Sequence, residues 1–240
     1  LTDAGRALLA DARAVSDEAD GLMARARGIR QGLETEVALA VDVMMPSSAV
    51  ASVLRDFQEV FPTVNLRLHV EALGAVAALV LDRRADMAIA GPDIIDLPEL
   101  QHREVGSVEL VPVAAPGHPL AQLRDIPPGE TRKHLQLVLT DRSPLTEGRE
   151  FSVLSPRTWR LADLGAKHAL LLEGIGWGNM PRHAVKDDLA AGRLVALCLP
   201  EASQIKYVLH ALWRNDTRPG PATTWMLEAL DLRCSESVRN

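Results

Sequence analysis

Polar and turn-forming residues stand directly after each of four strand-like runs. Asp42, Met44, Met45, Pro46, Ser47 and Ser48 lie at the end of the alternating run Val37, Leu39, Val41, Val43. Glu71 follows Val64, Leu66, Leu68 and Val70, and Gly91 and Pro92 follow Met87–Ala90. Asp141, Arg142 and Ser143 follow the run ending in Leu137, Val138, Leu139 and Thr140. Open α/β sheets bind ligands beyond the carboxyl ends of their strands, so these positions are the expected binding residues. Free amides and the Ser47 and Ser48 hydroxyls at a helix start favour an anion such as a carboxylate. Arg142 adds a bidentate, charged hydrogen bond to that picture. Asp42 and Glu71 would repel a carboxylate unless the ligand also carries an amine or hydroxyls. Met44 and Met45 would supply an adaptable apolar wall. Each residue also has a plainer role: the serines as helix caps, Arg142 as a solvated surface residue, the methionines as core.

Other chemistries lack their residues. There is no GxSxG, P-loop, GxGxxG or HExxH motif. The glycine-rich stretch Gly174–Gly178 follows a helix, whereas a phosphate cradle follows a strand and opens a helix. His183 and Asp187 share a helix face without a nucleophile. The seven histidines show no metal-ligand spacing. Cys198, in an apolar strand-like run, reads as core, and Cys234 lies in a polar tail. No enzyme activity, metal or cofactor is expected.

The elements that must position these residues alternate. After Ser47 or Ser48 as cap, Val50, Val53, Leu54, Phe57, Val60 and Phe61 recur at helical spacing, and Pro62 ends the helix. A short helix is expected over 75–83 and strands over 87–90, 109–115 and 135–140. Further on come a helix from Asp163 to Glu173, a helix over 182–191 stopped by Gly192, strands over 193–199 and 204–214, and a helix over 222–232. Strand and helix in alternation make a parallel α/β unit.

Residues 1–31 read as one long helix, capped by Thr2 and stopped by Gly32. Leu1, Leu8, Val15, Leu22 and Ile29 recur every seven residues, and Gly5, Ala12, Ala19 and Ala26 recur between them. Such a seam, with one large row and one small row, is a coiled-coil pattern. Leu8, Ala12, Val15, Ala19, Leu22, Ala26 and Ile29 are therefore expected to pair with a second helix. The alternative is a helix packed on its own domain. A net charge of −6 makes the chain a poor duplex binder. No apolar run is long enough to span a membrane and the N-terminal residues do not form a signal peptide, so the expected compartment is the cytoplasm.

Several segments, in order along the chain, resemble LysR-type transcription regulators. LTDAGRALLADA resembles the start of their linker helix, and FQEVFPTVNLRLHV, LVLDRRADMAIAGP, APGHPLA and LLLEGIGWGNMPRHAVKDDLAAGRLVAL resemble later signatures. Arg83 stands where many members have Gly, Trp177 replaces a smaller residue, and Met44 falls where several members place a Ser or Thr. The resemblance implies a two-lobed α/β domain of the periplasmic-binding-protein type II kind behind a linker helix. Residues 1–32 would be the dimerising linker, 33–110 plus 216–240 lobe I, and 111–215 lobe II. It implies a small-molecule effector, expected to be a small organic acid, in the cleft between lobes. It also implies a homodimer or homotetramer, and contact with promoter DNA through a winged helix-turn-helix ahead of Leu1. The alternatives are a solute-binding protein for transport, which shares the two-lobed design, and a dimerisation module without a ligand.

Overall fold

The computed structural model describes residues 1–92, 97–201 and 205–237. Its first element, α1 (Asp3–Arg30), ends close to where the sequence places its caps. The Thr2 hydroxyl accepts a hydrogen bond from the Gly5 N–H (3.2 Å), and the chain leaves the helix through Gly32 at φ 80°. No residue of α1 is buried. Leu8, Val15 and Leu22 are 69%, 71% and 63% exposed, and Ile29, Ala12, Ala19 and Ala26 are exposed beside them.

The alternation after Gly32 builds β1 (Glu36–Asp42), α2 (Ser47–Val60), β2 (Asn65–Glu71), α3 (Gly74–Leu81) and β3 (Met87–Ala90). The run Val37–Asp42 is buried throughout because β1 lies between β2 and β3, parallel to both. Strand β2 forms the sheet edge and leaves Leu68 and Val70 exposed. Ser47 and Ser48 do not cap α2, contrary to the sequence expectation. Pro46 occupies the cap position, and the two serines are the first helical residues, both exposed.

Next comes β4 (Leu100–Ala114), which starts well before the expected Glu109. Its first half, Gln101–Glu104, is polar and exposed, so it lacks the apolar alternation of a half-buried strand. Then follow β5 (Gln136–Leu139), β6 (Thr158–Leu161), α4 (Leu164–Leu172), β7 (Trp177–Pro181), α5 (Arg182–Ala190), β8 (Val195–Ala196), β9 (Ile205–Arg214) and α6 (Pro221–Ser237). Strands β6 and β7 are absent from the sequence expectation, and the expected strand over 193–199 contracts to the two residues of β8. Beyond it Leu197 and Leu199 turn inward, so Cys198 between them is exposed rather than core. Cys234 falls within the backbone span of α6.

All strands join one mixed sheet in the order β2-β1-β3-β9-β4-β7-β5-β6, with β8 beside β4. Strands β4 and β9 run antiparallel as a shared spine, with Leu100 opposite Arg214, Leu110 opposite Ile205, and a bulge between Glu104 and Gly106. One end of β9 pairs with β3, while the other end of β4 pairs with β7. The sheet therefore has two α/β halves joined through two strands. Helix α6 returns to the first half. There the Trp225 ring meets Phe57 (6.0 Å between centroids) and Phe61 (5.8 Å). The Glu34 carboxylate caps α6 by accepting from the N–H groups of Ala222 and Thr223, each at 3.0 Å. Burial pushes the Glu34 carboxyl up, and the hydrogen bonds from Thr223 and Ala222 outweigh that and hold it below the usual range. Among the described residues no helix is long and apolar enough to cross a membrane.

Candidate functional site

The carboxyl ends of β1 and β3 face the second half of the sheet across a cavity of about 300 Å³. Met44, Leu73 and Pro92 line it from the first half; Leu137, Leu139, Lys167 and Asn179 line it from the second; Leu110 and Tyr207 line it from the spine. The walls are mostly apolar with a few polar groups, the usual make-up of a small-molecule site.

Two arrangements hold the walls in place. Asp42, buried at the end of β1, accepts from the Met44 N–H and from the hydroxyl of Tyr207, both at 2.8 Å. Tyr207 is the only tyrosine in the chain, and it lies so close over Gly91 that a Cβ there would fall within its phenol. Asp42 and Gly91 thus fix Tyr207 at the cavity wall, and the Asp42 carboxylate is engaged inside the protein. On the other side, Gln136 donates to the Ser152 carbonyl and accepts from the Leu154 and Ser155 N–H groups, which holds the segment after Phe151 against β5.

Lys167 is the unusual member of the lining. It stands on the inner stripe of α4 with Leu164 and Leu171 and is only 2% exposed. Its ammonium donates to the Asn179 backbone carbonyl at 2.7 Å, and among the described residues no carboxylate pairs with it. Burial pulls its pKa down to about 8, because desolvation disfavours the charged form. Beside it, the Asn179 side chain is 7% exposed and its Oδ1 has no hydrogen-bond partner. Gly178 makes room for Lys167 and for β5: a Cβ there would come 3.0 Å from Lys167 Cε and 2.6 Å from the Leu137 carbonyl. The glycine-rich stretch after α4 therefore serves close packing of β7 on β5.

The expected binding residues separate into groups. Met44 and Pro92 line the cavity, and Asp42 and Gly91 stand behind it. Met45 is core. Pro46, Ser47, Ser48 and Glu71 lie outside its lining, and Ser47, Ser48 and Glu71 are exposed. Asp141, Arg142 and Ser143 line a different, open groove with Arg149, Glu150 and Arg160. There Asp141 reaches across to the first half and accepts from the Ala75 N–H at the start of α3 (2.8 Å) and from the Thr146 hydroxyl. Ser143 accepts from the Leu145 N–H, and Arg142 is exposed. The helix pair His183 and Asp187 forms no site. The buried carboxylate on α5 is Asp188, which meets His168 at 2.7 Å and Arg193 at 2.6 Å.

Lys167, Asn179 and Tyr207 are absent from the sequence expectation. A signal for Lys167 was present, since it takes the place of a large apolar residue in the Leu164–Leu171 stripe. Asn179 sits in a stretch whose glycines mask a strand, and Tyr207 looks like one more aromatic in an alternating run.

Comparison with known proteins agrees with this architecture. A sequence model for the LysR substrate binding domain matches residues 30–234. The probable HTH-type transcriptional regulator YhaJ of Escherichia coli K12 is 28% identical over 96% of this chain and 77% of its own. The effector binding domain of QuiR, solved in complex with shikimate, superposes with a TM-score of 0.67 at 17% identity, over 85% of this chain and 98% of that one. The regulatory domain of Synechocystis PCC6803 CcmR, solved in complex with 2-PG, gives 0.65 at 19% identity, over 82% and 96%. With the match running from the end of α1 into α6, the chain belongs to the LysR substrate binding domain family, the effector-binding regulatory part of LysR-type transcription regulators.

Proposed function

We propose that the effector of this regulator is a small organic acid that binds in the cavity between Met44, Leu73 and Pro92 on one side and Leu137, Lys167 and Asn179 on the other. The observation that carries this reading is that both halves of the sheet contribute to one cavity, so occupancy depends on how the halves sit together. In this reading residues 33–110 with 216–240 act as one lobe and 111–215 as the other, moving about the β4/β9 spine. A ligand changes such an equilibrium only through different affinity for its two states. Related domains hold shikimate in one case and 2-PG in another.

The output side of the proposal uses α1. Its exposed heptad seam pairs with a second copy to give a homodimer, or a homotetramer where the effector domains also associate. Effector binding changes the shape of that assembly, and with it the contact that winged helix-turn-helix heads make with promoter DNA in the cytoplasm. A thermal-shift screen of metabolites tests the site. A ligand of the native state raises the melting temperature with the logarithm of its concentration. Leu137→Trp, which fills the cavity, should abolish the response. A ligand that stabilises Leu137→Trp as well as the parent would place the effector elsewhere.

A further inference from the structure

Most of the cavity's lining is apolar, and its charged members are in different situations. Glu150 lies at its edge, more than half exposed, and is paired with Arg160. Lys206 is exposed on β9. Tyr207 donates to Asp42, whose carboxylate also accepts from Met44. His168, next to Lys167 on α4, turns to Asp188 instead. Lys167 is left as the buried cation of the cavity, with one acceptor for an ammonium that carries three donors. A buried charge normally has a charged partner, because taking it out of water unpaired is costly. An under-used cationic donor in a mostly apolar cavity is complementary to the carboxylate of an acid with an apolar body.

We infer that the effector is a small monoanion with an apolar body, whose carboxylate is taken by the Lys167 ammonium. This rests on the cavity being the effector site, and it adds the chemical class. A dianion would carry a charge with no second buried cation to meet it among the described lining residues. A cation would face Lys167 directly. The depressed Lys167 pKa adds a coupling: above pH 8 the free protein has largely lost that proton, and an anion must restore it in order to bind.

The test measures binding of small monocarboxylates, among them benzoate, shikimate and lactate, each beside its uncharged primary amide. Calorimetry on the whole chain at pH 6.5 and pH 9.5, in buffers of different ionisation heat, reads affinity and proton uptake together. Expected are a binding acid, an amide weaker by about ten- to a hundredfold, and net proton uptake at pH 9.5 that is small at pH 6.5. Lys167→Met should weaken the acid by a similar factor while removing the proton uptake. Two results overturn the inference while leaving the cavity reading intact. One is an acid that loses its response in Leu137→Trp yet binds Lys167→Met as tightly as the parent, without proton uptake in either. The other is a panel in which only amides or cations bind and Leu137→Trp blocks them. A panel in which no acid binds at millimolar concentration also overturns it. An acid that binds Leu137→Trp unchanged rejects the cavity itself.

Discussion

Replacing Lys167 with Met should make the ligand-free protein more stable. The side chain is 2% exposed, and burial lowers its pKa from 10.5 to about 8. At 1.36 kcal/mol per pH unit, the folded state carries roughly 3 kcal/mol of desolvation cost at neutral pH. Met keeps much of the stem volume without the charge. It forgoes the charge-assisted hydrogen bond to the Asn179 carbonyl, worth about 1.5 kcal/mol or more. The net gain is at most roughly 1.5 kcal/mol, or about 3–6 °C in melting temperature for a protein of this size. The pH dependence gives a second reading. Below pH 8 both folded and unfolded chains hold the lysine proton, and the cost is present in full. Between pH 8 and 10.5 the folded state releases the proton while the unfolded chain keeps it, so the parent gains stability from this group as pH rises. The variant lacks that gain, and the difference between the two should close toward pH 10.5. Denaturant melts of both proteins from pH 6.5 to 10.5 supply the test. A variant that is less stable than the parent at pH 7, by an amount that does not change with pH, would refute the reasoning.

Four further outcomes are expected. Arg83 sits at φ 58°, where a side chain costs about 1 kcal/mol or more, and its ion pair with Asp216 is exposed. Arg83→Gly should therefore raise the melting temperature by about 2–4 °C. Gly91→Ala should be strongly destabilising, because its methyl group takes the space of the Tyr207 phenol. Tyr207→Phe, which only removes a hydrogen bond to a carboxylate, should cost about 1.5–3 kcal/mol in the same melts. Ala19→Leu, on the exposed small row of α1, should weaken self-association in sedimentation experiments; unchanged association would mean that the seam is not the pairing face.

The legible parts of the sequence were those in which one residue type has one use. Alternating valines and leucines marked β1 and β2, Asp163 marked the start of α4, and Gly32 and Gly192 marked helix ends. Even Arg83 stood out, as a departure from the family pattern the sequence resembles, and the backbone there is left-handed. The parts that were not legible depend on partners distant in the chain. The polar half of β4 is a strand because β9 lies beside it, and no local alternation announces that. Asp42, Asp141 and Glu34 look like exposed acids in sequence. In the fold they receive donors 165, 66 and 188 positions away. Ser143 and Arg142 follow a strand as expected, but the segment after β5 leads them into an open groove that adjoins the cavity at Glu150. The buried cation of the cavity lining was a lysine in an apolar stripe, which local pattern alone does not mark as part of a site.

The return of the last two elements to the first half has a consequence for synthesis. Phe57 and Phe61 are made early, but their ring partner Trp225 and the pairing partner of β3 lie near the end of the chain. A ribosome that has released residues 1–200 has exposed one whole α/β half whose sheet stops at β3 and whose α2 flank is bare. The intervening second half can close sooner, because β5, β6 and β7 pair within 136–181. The emerging chain thus carries open strand edges on both β3 and β4 for as long as β9 takes to appear. Such edges are where nascent chains aggregate. A chain that stopped before β9 would keep the open edge permanently, and one that stopped before α6 would keep the α2 flank bare, so either loss should show up first as insolubility, before any question of ligand binding arises.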